Sequence, residues 1–238
     1  MGTVLLFALV PVLAAALSGA VAAVRPPGEK VTSGLQHFAA GVVFSAAAIE
    51  LLPGVLERSP LVAVAGFAAG IAVMFGFRAA SERLEARREA SGHTGLPIGL
   101  GVAIGVDFFI DGLILGAGFA AGPRTGVLLT VALPVEYLFV GLSLSATLAG
   151  TVSRRFVALA PVVLALLTVA GTALGALTLA GASATVLAAV LAFGAVAFMY
   201  LATEELLVEA HARGETSIGS VGFFVGFLIY LVLSELIG

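Results

Sequence analysis

Long apolar runs follow one another along the whole chain, separated by short segments that hold polar or turn-forming residues. A helix needs about 20 apolar residues to cross the roughly 30 Å of hydrocarbon in a bilayer, and each run is about that long. The pattern predicts spans at about 3–23, 32–52, 60–80, 97–120, 126–149, 156–180, 183–209 and 217–237. We therefore predict an all-α integral membrane protein of eight spans, in which residues 1–238 form a single transmembrane domain.

The composition agrees with this prediction. Apolar residues make up 61% of the chain and charged residues 11%, and the mean hydropathy is +1.18, whereas a soluble domain carries about 25% charged residues. The sizeable polar segment at about 78–96 predicts a cytoplasmic linker with a short charged helix. Because cysteine is absent, disulfides and thiolate metal ligands are excluded.

The basic residues predict the orientation of the chain. If the N-terminus is outside, nine of the eleven Lys and Arg residues fall in inner segments, and Arg58 and Arg124 fall outside. Cytoplasmic loops of membrane proteins carry this excess of Lys and Arg. The first apolar run has no basic region before it, so we expect a retained span and not a signal peptide. The sequence thus predicts a multi-pass protein of the plasma (inner) membrane, with the N- and C-termini outside.

Two aspartates, Asp107 and Asp111, lie one helical turn apart near the middle of the fourth predicted span. A charge at the bilayer centre costs about 2.5 to 3.5 kcal/mol on insertion scales, and this span holds no basic residue to compensate it. A stripe of four glycines lies roughly 130° away on the same helix: Gly101, Gly105, Gly112 and Gly116. Because small residues let helices pack closely, we expect the carboxylates to face a different interior surface.

A third carboxylate, Glu136, lies near the middle of the fifth predicted span. The connection at 122–125 is short, so the fourth and fifth spans are expected to be antiparallel neighbours. Asp107, Asp111 and Glu136 are therefore predicted to form one central metal site. The alternative is that all three are protonated and hydrogen-bonded between helices, but a divalent cation offsets their charge directly. We favour metal or proton handling.

Further acidic residues lie near the ends of two spans. In the predicted orientation, Glu50 lies at the outer mouth, where it is a weaker candidate ligand. A second group of candidate ligands lies at the inner mouth: Glu204, Glu205, Glu209 and His211. Such residues are also typical of solvated helix ends. His37, which begins the second span, is interpreted either as an inner-side ligand or as an interfacial polar residue.

Two of these stretches echo each other in sequence. SAAAIELL at 45–52 aligns with YLATEELL at 200–207 at a constant offset. The echo fits an inverted repeat in which spans one to three and six to eight are related around a central pair. We therefore predict a 3+2+3 inverted-repeat arrangement, with the three central carboxylates on the central pair.

These residues resemble the ZIP (Zrt/Irt-like) family of divalent metal transporters, and the chain is identified as a divergent prokaryotic-type member. That family has eight spans in a three-two-three arrangement, with motifs like H-N-x-x-[ED]-G and H-N-x-P-E-G in its fourth and fifth spans. The counterparts here are DFFIDG at 107–112 and EYLFVG at 136–141. The second and seventh spans, with IELLP and TEELL, are similar to their family equivalents, so the resemblance covers nearly the whole chain.

The departures from the family pattern concern metal ligands. Asp107 and Glu136 stand where the family has histidines, Phe108 and Tyr137 where it has asparagines, and Val140 where it has a second acid. In the family these positions form two adjacent metal sites. The resemblance therefore implies that one site survives here in carboxylate form and that the second is lost.

Taken together, the cluster and the resemblance predict transmembrane transport of a divalent cation by alternating access, without enzymatic activity. The metal, zinc or manganese foremost, is expected as transported substrate. Oxygen ligands favour harder ions such as Mn²⁺, although Zn²⁺ also accepts carboxylates. Two alternatives stay open: a non-transporting ZIP-like homologue that binds or senses a cation, and a proton-coupled transporter of another solute.

The same residues bear on two further questions, whether the protein is an intramembrane protease and which partners it binds. An intramembrane aspartyl protease places its two aspartates on two helices, whereas Asp107 and Asp111 share one. The expected partners are the metal cation and the lipid bilayer. Glycine-rich spans also suit the packing of two copies into a homodimer, and no nucleic-acid partner is expected.

Overall fold

The computed structural model describes residues 1–24, 28–58, 60–90, 98–212 and 217–237. Within these ranges the chain forms helices joined by short turns. In chain order they are α1 (Gly2–Val24), α2 (Glu29–Ala46), α3 (Leu52–Arg58), α4 (Pro60–Ala90), α5 (Ile98–Ala121), α6 (Pro123–Leu148), α7 (Arg154–Leu179), α8 (Ala184–Tyr200), α9 (Leu207–Ala212) and α10 (Ser217–Ile237). A π-helical segment, Ala47–Leu51, joins α2 to α3, and another, Leu201–Leu206, joins α8 to α9.

The all-α prediction is confirmed, since the described part of the chain contains no β-strand. If the helix that continues through each π-helical segment is counted as one, as in Glu29–Leu56 and Ala184–Ala212, seven helices in that part are long and apolar enough to cross a membrane. α10 contains a shorter apolar stretch, Val221–Ile237. α10 coincides with the eighth predicted span at 217–237. The order of the helices is therefore that of the eight predicted spans, whereas the 3+2+3 inverted repeat stays a prediction.

The third long helix extends beyond its predicted end at residue 80. α4 continues to Ala90, so the charged residues from Arg78 onward prolong this helix and do not form a separate short one. Ala, Leu, Glu and Arg are strong helix formers, and residues 78–90 contain no glycine or proline to end the helix. The first two thirds of the predicted linker at 78–96, residues 78–90, are thus the last part of α4. Residues 91–96 lie outside the described residues.

The long helices pack in two groups. In the first group, α7 packs along α5 and α1, and α6 packs along α1 and α5. In the second group, α2 packs along α10, and α4 packs along α8. The two groups meet where α6 contacts α2 and where α5 contacts α8. The predicted carboxylate helices, α5 and α6, therefore belong to one group and face the other.

Helices α2 and α10 run parallel at close range. A Cβ atom added at Gly41 would clash with the backbone of Phe223, and Ser234 near the end of α10 bonds Glu50 near the end of α2. Parallel spans are separated by an odd number of intervening crossings. The five predicted spans between α2 and α10 satisfy this condition, so the packing agrees with a count of eight.

The predicted glycine stripe of α5 packs against α7. A Cβ atom at Gly112 would clash with the carbonyl oxygen of Thr168, and one at Gly116 would lie 2.6 Å from the carbonyl oxygen of Thr172. Gly101 has open space around it instead. The two backbones therefore approach closely along the middle of α5, as small residues allow. This contact leaves the other side of α5 to face α6.

Both π-helical segments fall on the stretches that echo each other in sequence. Ala47–Leu51 lies within 45–52, and Leu201–Leu206 lies within 200–207. A π-helical turn is rare and frequently occurs at functional sites. The same irregularity at matching positions supports the predicted repeat and places Glu50 and Glu205 in equivalent local settings.

Candidate metal centre

Helices α5 and α6 bring three carboxylates together inside the helix bundle. Asp107 and Asp111 are neighbours because residues four apart share one face of a helix. The short turn at Gly122 brings α6 back beside α5, so that Glu136 faces both aspartates. One oxygen atom from each side chain lies within 4.8 Å of the other two. The structure thus brings together the three residues predicted for the central site, which we call the central cluster.

The central cluster is largely shielded from solvent. Glu136 is 0% exposed and Asp111 is 1% exposed. Both carboxylate oxygens of Glu136 lack a hydrogen-bond partner among the described residues. A buried polar group left without a partner costs about 1–3 kcal/mol, and a charged group costs more. A cation or a proton at this position would remove that cost.

A tyrosine and a threonine hold one side of the cluster. The Tyr137 hydroxyl lies 3.2 Å from Asp111 Oδ2 and 2.6 Å from Thr168 Oγ1. Its ring stacks on Phe108 with the ring centroids 3.8 Å apart. When Tyr137 donates to Asp111, it can accept a hydrogen bond from Thr168 of α7. This chain of contacts fixes the orientation of one carboxylate of the cluster.

A cavity connects the cluster with one end of the bundle. It has a volume of about 260 Å³ and reaches from Asp107 to Arg78, Glu204 and Glu205. Val140, which replaces an acid of the family pattern, lines the same cavity. We call this the central cavity, and the end of the bundle to which it leads the Glu204 end. The lining is mainly apolar, and the carboxylates of Asp107, Glu204 and Glu205 lie along it, so the cavity gives access to the cluster from this end.

The four candidates predicted for the inner mouth lie at the Glu204 end. Arg78 of α4 forms an ion pair with Glu204, with 3.0 Å between Nη1 and Oε2. Glu205 lines the central cavity, and Glu209 accepts a hydrogen bond from Ser143 of α6. The side chain of His211 contacts the ring of His37. Their proximity is established by the structure, and their role as ligands stays a prediction.

Glu50 lies at the opposite end of the bundle, in contact with two other helices. Ser234 of α10 donates to Glu50 Oε1 at 2.6 Å, and Arg124 Nη1 of α6 lies 3.7 Å from Glu50 Oε2. Arg124 also donates to the carbonyl oxygen of Ser234 at 2.9 Å. We call this set the Glu50 contact. The predicted outer-mouth ligand is thus engaged with a cation of the protein itself.

Two contacts of the structure, those of Tyr137 and Arg124, do not follow from the sequence. The sequence indicates Tyr137 only as a replacement in the family motif and Arg124 only as a basic residue on the outer side. A tyrosine next to a buried carboxylate is a signal for hydrogen bonding, because a buried hydroxyl usually needs a partner. Nothing in the sequence pairs Arg124 with Glu50, since the two residues meet only through tertiary packing.

Comparison with known proteins gives an independent result. The family model described as ZIP zinc transporter matches residues 81–234, a range that holds the whole central cluster. A search of curated proteins found no significant match. ZIP proteins are multi-pass membrane transporters of divalent metal ions and not enzymes. Since the match covers well over half of the chain, this chain belongs to the ZIP family.

Proposed function

We propose that this protein carries a divalent metal ion across the membrane through a single site formed by Asp107, Asp111 and Glu136. The observation that carries the proposal is the buried carboxylate of Glu136, which lacks a hydrogen-bond partner yet faces two further carboxylates within 4.8 Å. Charged groups in the membrane interior are rare and mark ion pathways. Three oxygen donors around one point are suited to a metal ion.

The aromatic pair beside the cluster supports a site for one metal ion and not two. The resemblance assigns the positions of Phe108 and Tyr137 to a second site. Here the two rings are fully buried and stacked on each other. Phe108 offers no ligand atom, and the Tyr137 hydroxyl is engaged with Asp111 and Thr168. Aromatic packing therefore replaces a second pair of ligands.

The two ends of the bundle support transport by alternating access. At the Glu204 end, the central cavity reaches Asp107. At the other end, the Glu50 contact joins α6 of the first helix group to α2 and α10 of the second. Relative movement of the two groups would open one end and close the other. By the distribution of basic residues, the open end is the cytoplasmic one.

The donor set bears on the choice of metal. Carboxylates and carbonyl groups suit Mn²⁺, Mg²⁺ and Ca²⁺, whereas imidazole and thiolate suit the later transition metals. Zn²⁺ binds carboxylates as well and outcompetes Mn²⁺ at most mixed sites. We propose zinc or manganese as the transported ion, with the metal as substrate and not as a resident cofactor.

The test is uptake of Zn²⁺ and Mn²⁺ into proteoliposomes by the wild-type chain and by the variants Asp111→Asn and Glu136→Gln. Both variants keep the shape of the side chain and remove its charge. We expect uptake to fall by at least about 10-fold, because each charged ligand contributes strongly to ion binding. Glu235→Gln serves as the matched control, since Glu235 is an exposed carboxylate on α10. Unchanged uptake in both cluster variants would contradict the site.

A second outcome of the same experiment bears on function. The stacked Phe108 and Tyr137 favour one alternative, a ZIP-like protein that binds a cation without turnover. In that case, Zn²⁺ or Mn²⁺ would raise the melting temperature of the wild-type chain but not of Glu136→Gln, and neither protein would show uptake. Binding together with uptake supports the transporter.

A further inference from the structure

An open groove runs between α5 and α7 on the first helix group. It has a volume of about 990 Å³, and the last turns of α6 form part of its wall. Of the described residues that line it, all are apolar or glycine except Ser153 and Arg155 at one end. The groove is thus apolar along its length and basic at one end, and we call it the Arg155 groove.

The groove exists because α5 and α7 diverge toward the start of both helices. The two helices run parallel and touch backbone to backbone where a Cβ atom at Gly112 would clash with Thr168. Two turns earlier, a Cβ atom at Gly105 would meet only the ends of leucine side chains, the nearest at 3.1 Å. At Gly101 no described atom lies within 4 Å of such a Cβ atom. The space between the two backbones therefore widens toward this end, and the described side chains leave it open.

The length of the groove matches one leaflet of a bilayer. Along α7 the groove extends from Arg155 to Leu167, a stretch of helix that rises about 18 Å. Half of the hydrocarbon core of a bilayer is about 15 Å thick. On α5 the groove reaches Phe109, which lies between the two aspartates of the central cluster. Its apolar end is therefore near the middle of the membrane, and its basic end is near the surface.

The basic end carries positive charge that the protein does not neutralise. Arg154 and Arg155 are exposed at the start of α7, and neither forms an ion pair within the described part of the chain. No described acidic residue lines the groove, and the sequence has none between Glu136 and Glu204. Basic pockets between membrane helices bind the head groups of anionic lipids. The charge of this end is therefore complementary to such a head group.

The apolar part of the groove is open to the acyl chains of the same leaflet. Leu159 and Val163 of α7 are 58% and 62% exposed, and Phe156, next to Arg155, is 47% exposed. Val106 of α5 lines both this groove and the central cavity. A molecule held in the groove would thus pack against the helix that carries two ligands of the proposed metal site.

We propose that the Arg155 groove binds an anionic phospholipid, with its phosphate beside Arg155 and its acyl chains between α5 and α7. The arginine attracts the charged head group, and the chains fill the space between the diverging helices and so gain van der Waals contact. A zwitterionic lipid offers the same chains without a net charge, so the groove should select by head group. This binding holds whichever ion the protein carries.

The chain contains no tryptophan, so a single introduced tryptophan reports on the lipid next to it. Phe156→Trp places the reporter in the groove, and Phe224→Trp places a control on α10, at a position that is 70% exposed. Each full-length variant is reconstituted without metal in mixtures of phosphatidylcholine and phosphatidylglycerol, one of which carries brominated chains that quench tryptophan. We expect phosphatidylglycerol to be preferred about 5-fold at Phe156→Trp, the contribution of one arginine near an anionic surface. The two lipids should quench Phe224→Trp equally.

Further substitutions in the Phe156→Trp background test the two parts of the groove. Arg155→Gln should remove most of the preference, whereas Arg155→Lys should keep it because the charge remains. Arg83→Gln is the matched control and should keep it too, since Arg83 is an exposed arginine of α4 outside the groove. Gly101→Leu should weaken quenching by both lipids, because its side chain extends into the space that is open beside Gly101.

Several results would overturn the proposal. An equal preference at Phe156→Trp and Phe224→Trp, or one that survives Arg155→Gln, would show that the groove holds bulk lipid without selection. Weak quenching by both lipids at Phe156→Trp alone would show that a second copy of the chain covers the groove. If inorganic phosphate abolishes the preference, the arginine is a simple anion contact. Because no metal is present, these results do not depend on the central cluster, and a failure of metal uptake would leave them unchanged.

Discussion

At the scale of single residues, the central cluster depends on a neighbour that binds no ion itself. The Tyr137 hydroxyl contacts Asp111 and Thr168, and its ring covers Phe108. An outer-shell hydrogen bond orients a ligand before the metal arrives, so that less conformational freedom is lost when the metal binds. The buried surroundings strengthen this effect because water cannot replace the missing bond.

Tyr137→Phe should therefore weaken metal binding without removing a ligand. We expect the dissociation constant for Zn²⁺ or Mn²⁺ at the central site to rise about 10-fold to 100-fold, the usual effect of losing an outer-shell partner. Isothermal titration of the purified chain measures it. Tyr230→Phe is the matched control, since the Tyr230 hydroxyl is also buried but has no hydrogen-bond partner among the described residues. Equal effects of the two substitutions would contradict a specific role for Tyr137.

At the scale of helices, the position of the carboxylates depends on how closely α5 and α7 approach each other. Gly112 directly follows Asp111, and the backbone of Thr168 occupies the space that a Cβ atom at Gly112 would need. Thr168 is also the hydrogen-bond partner of Tyr137. The same helix pair thus sets both the packing of α5 and one side of the metal site.

Gly112→Ala should destabilise the bundle, because the added methyl group meets a backbone carbonyl that cannot rotate away. Overpacking of this kind costs about 1–3 kcal/mol, which lowers the melting temperature by several degrees. Gly101→Ala is the control, since nothing lies within 4 Å of a Cβ atom there. Melting in detergent, followed by circular dichroism, compares the two. The assignment of the α5–α7 contact fails if Gly112→Ala melts like Gly101→Ala.

The Glu50 contact joins the two helix groups at the end of the bundle opposite the central cavity. Arg124 comes from α6, whereas Glu50 and Ser234 come from the other helix group. The Glu50 side chain is 2% exposed and the Arg124 side chain is 50% exposed, so a buried carboxylate pairs here with a cation that solvent still reaches. Breaking this contact would favour movement of the two groups apart at this end.

Arg124→Gln should open the Glu50 end. The natural absence of cysteine allows single-cysteine reporters, placed four residues before Asp107 (Ala103→Cys, in the central cavity) and four residues after Asp111 (Leu115→Cys, buried). We expect labelling of Leu115→Cys by a water-soluble maleimide to increase several-fold and that of Ala103→Cys to decrease. Arg154→Gln, at an exposed arginine at the start of α7, is the control. Unchanged labelling of Leu115→Cys would show that the Glu50 contact does not close this end.

At the scale of the whole molecule, function depends on which end of the bundle faces the cytoplasm. Arg78, Arg83 and Arg87 lie on the part of α4 that reaches the Glu204 end, together with the start of α2. The membrane places such basic residues on the cytoplasmic side. The central cavity would then open inward, and the Glu50 contact would face outward.

We expect both termini to lie outside. A cysteine added before Met1 or after Gly238 should react with a membrane-impermeant maleimide in intact cells, whereas Ser81→Cys on α4 should react only after the membrane is permeabilised. Ser81 lines the central cavity and serves as the internal control. Protection of both termini in intact cells would reverse the orientation and, with it, the direction in which the cavity opens.

Much of this molecule follows from the sequence because a bilayer restricts the choices of a chain. Apolar runs of about 20 residues must become helices, since unpaired backbone groups are too costly in hydrocarbon. Aspartates four residues apart must share a helix face, and a short turn makes consecutive helices antiparallel. These rules predicted the helices and the proximity of Asp107, Asp111 and Glu136, whereas the family followed from the resemblance of the motifs at 107–112 and 136–141. The same rules do not fix where α4 ends, because its charged extension lies beyond the apolar run.

Only the tertiary structure decided which distant side chains meet. Arg124 with Glu50 and His37 with His211 join segments that are far apart in sequence, and Tyr137 with Thr168 joins two consecutive helices at positions that periodicity does not pair. Periodicity gives the face of each helix but not its partner, and in lipid the partner is chosen by close packing of small residues and not by hydrophobic burial. The sequence thus determined that three acids lie in a membrane helix pair, and the packing decided what surrounds, closes and orients them.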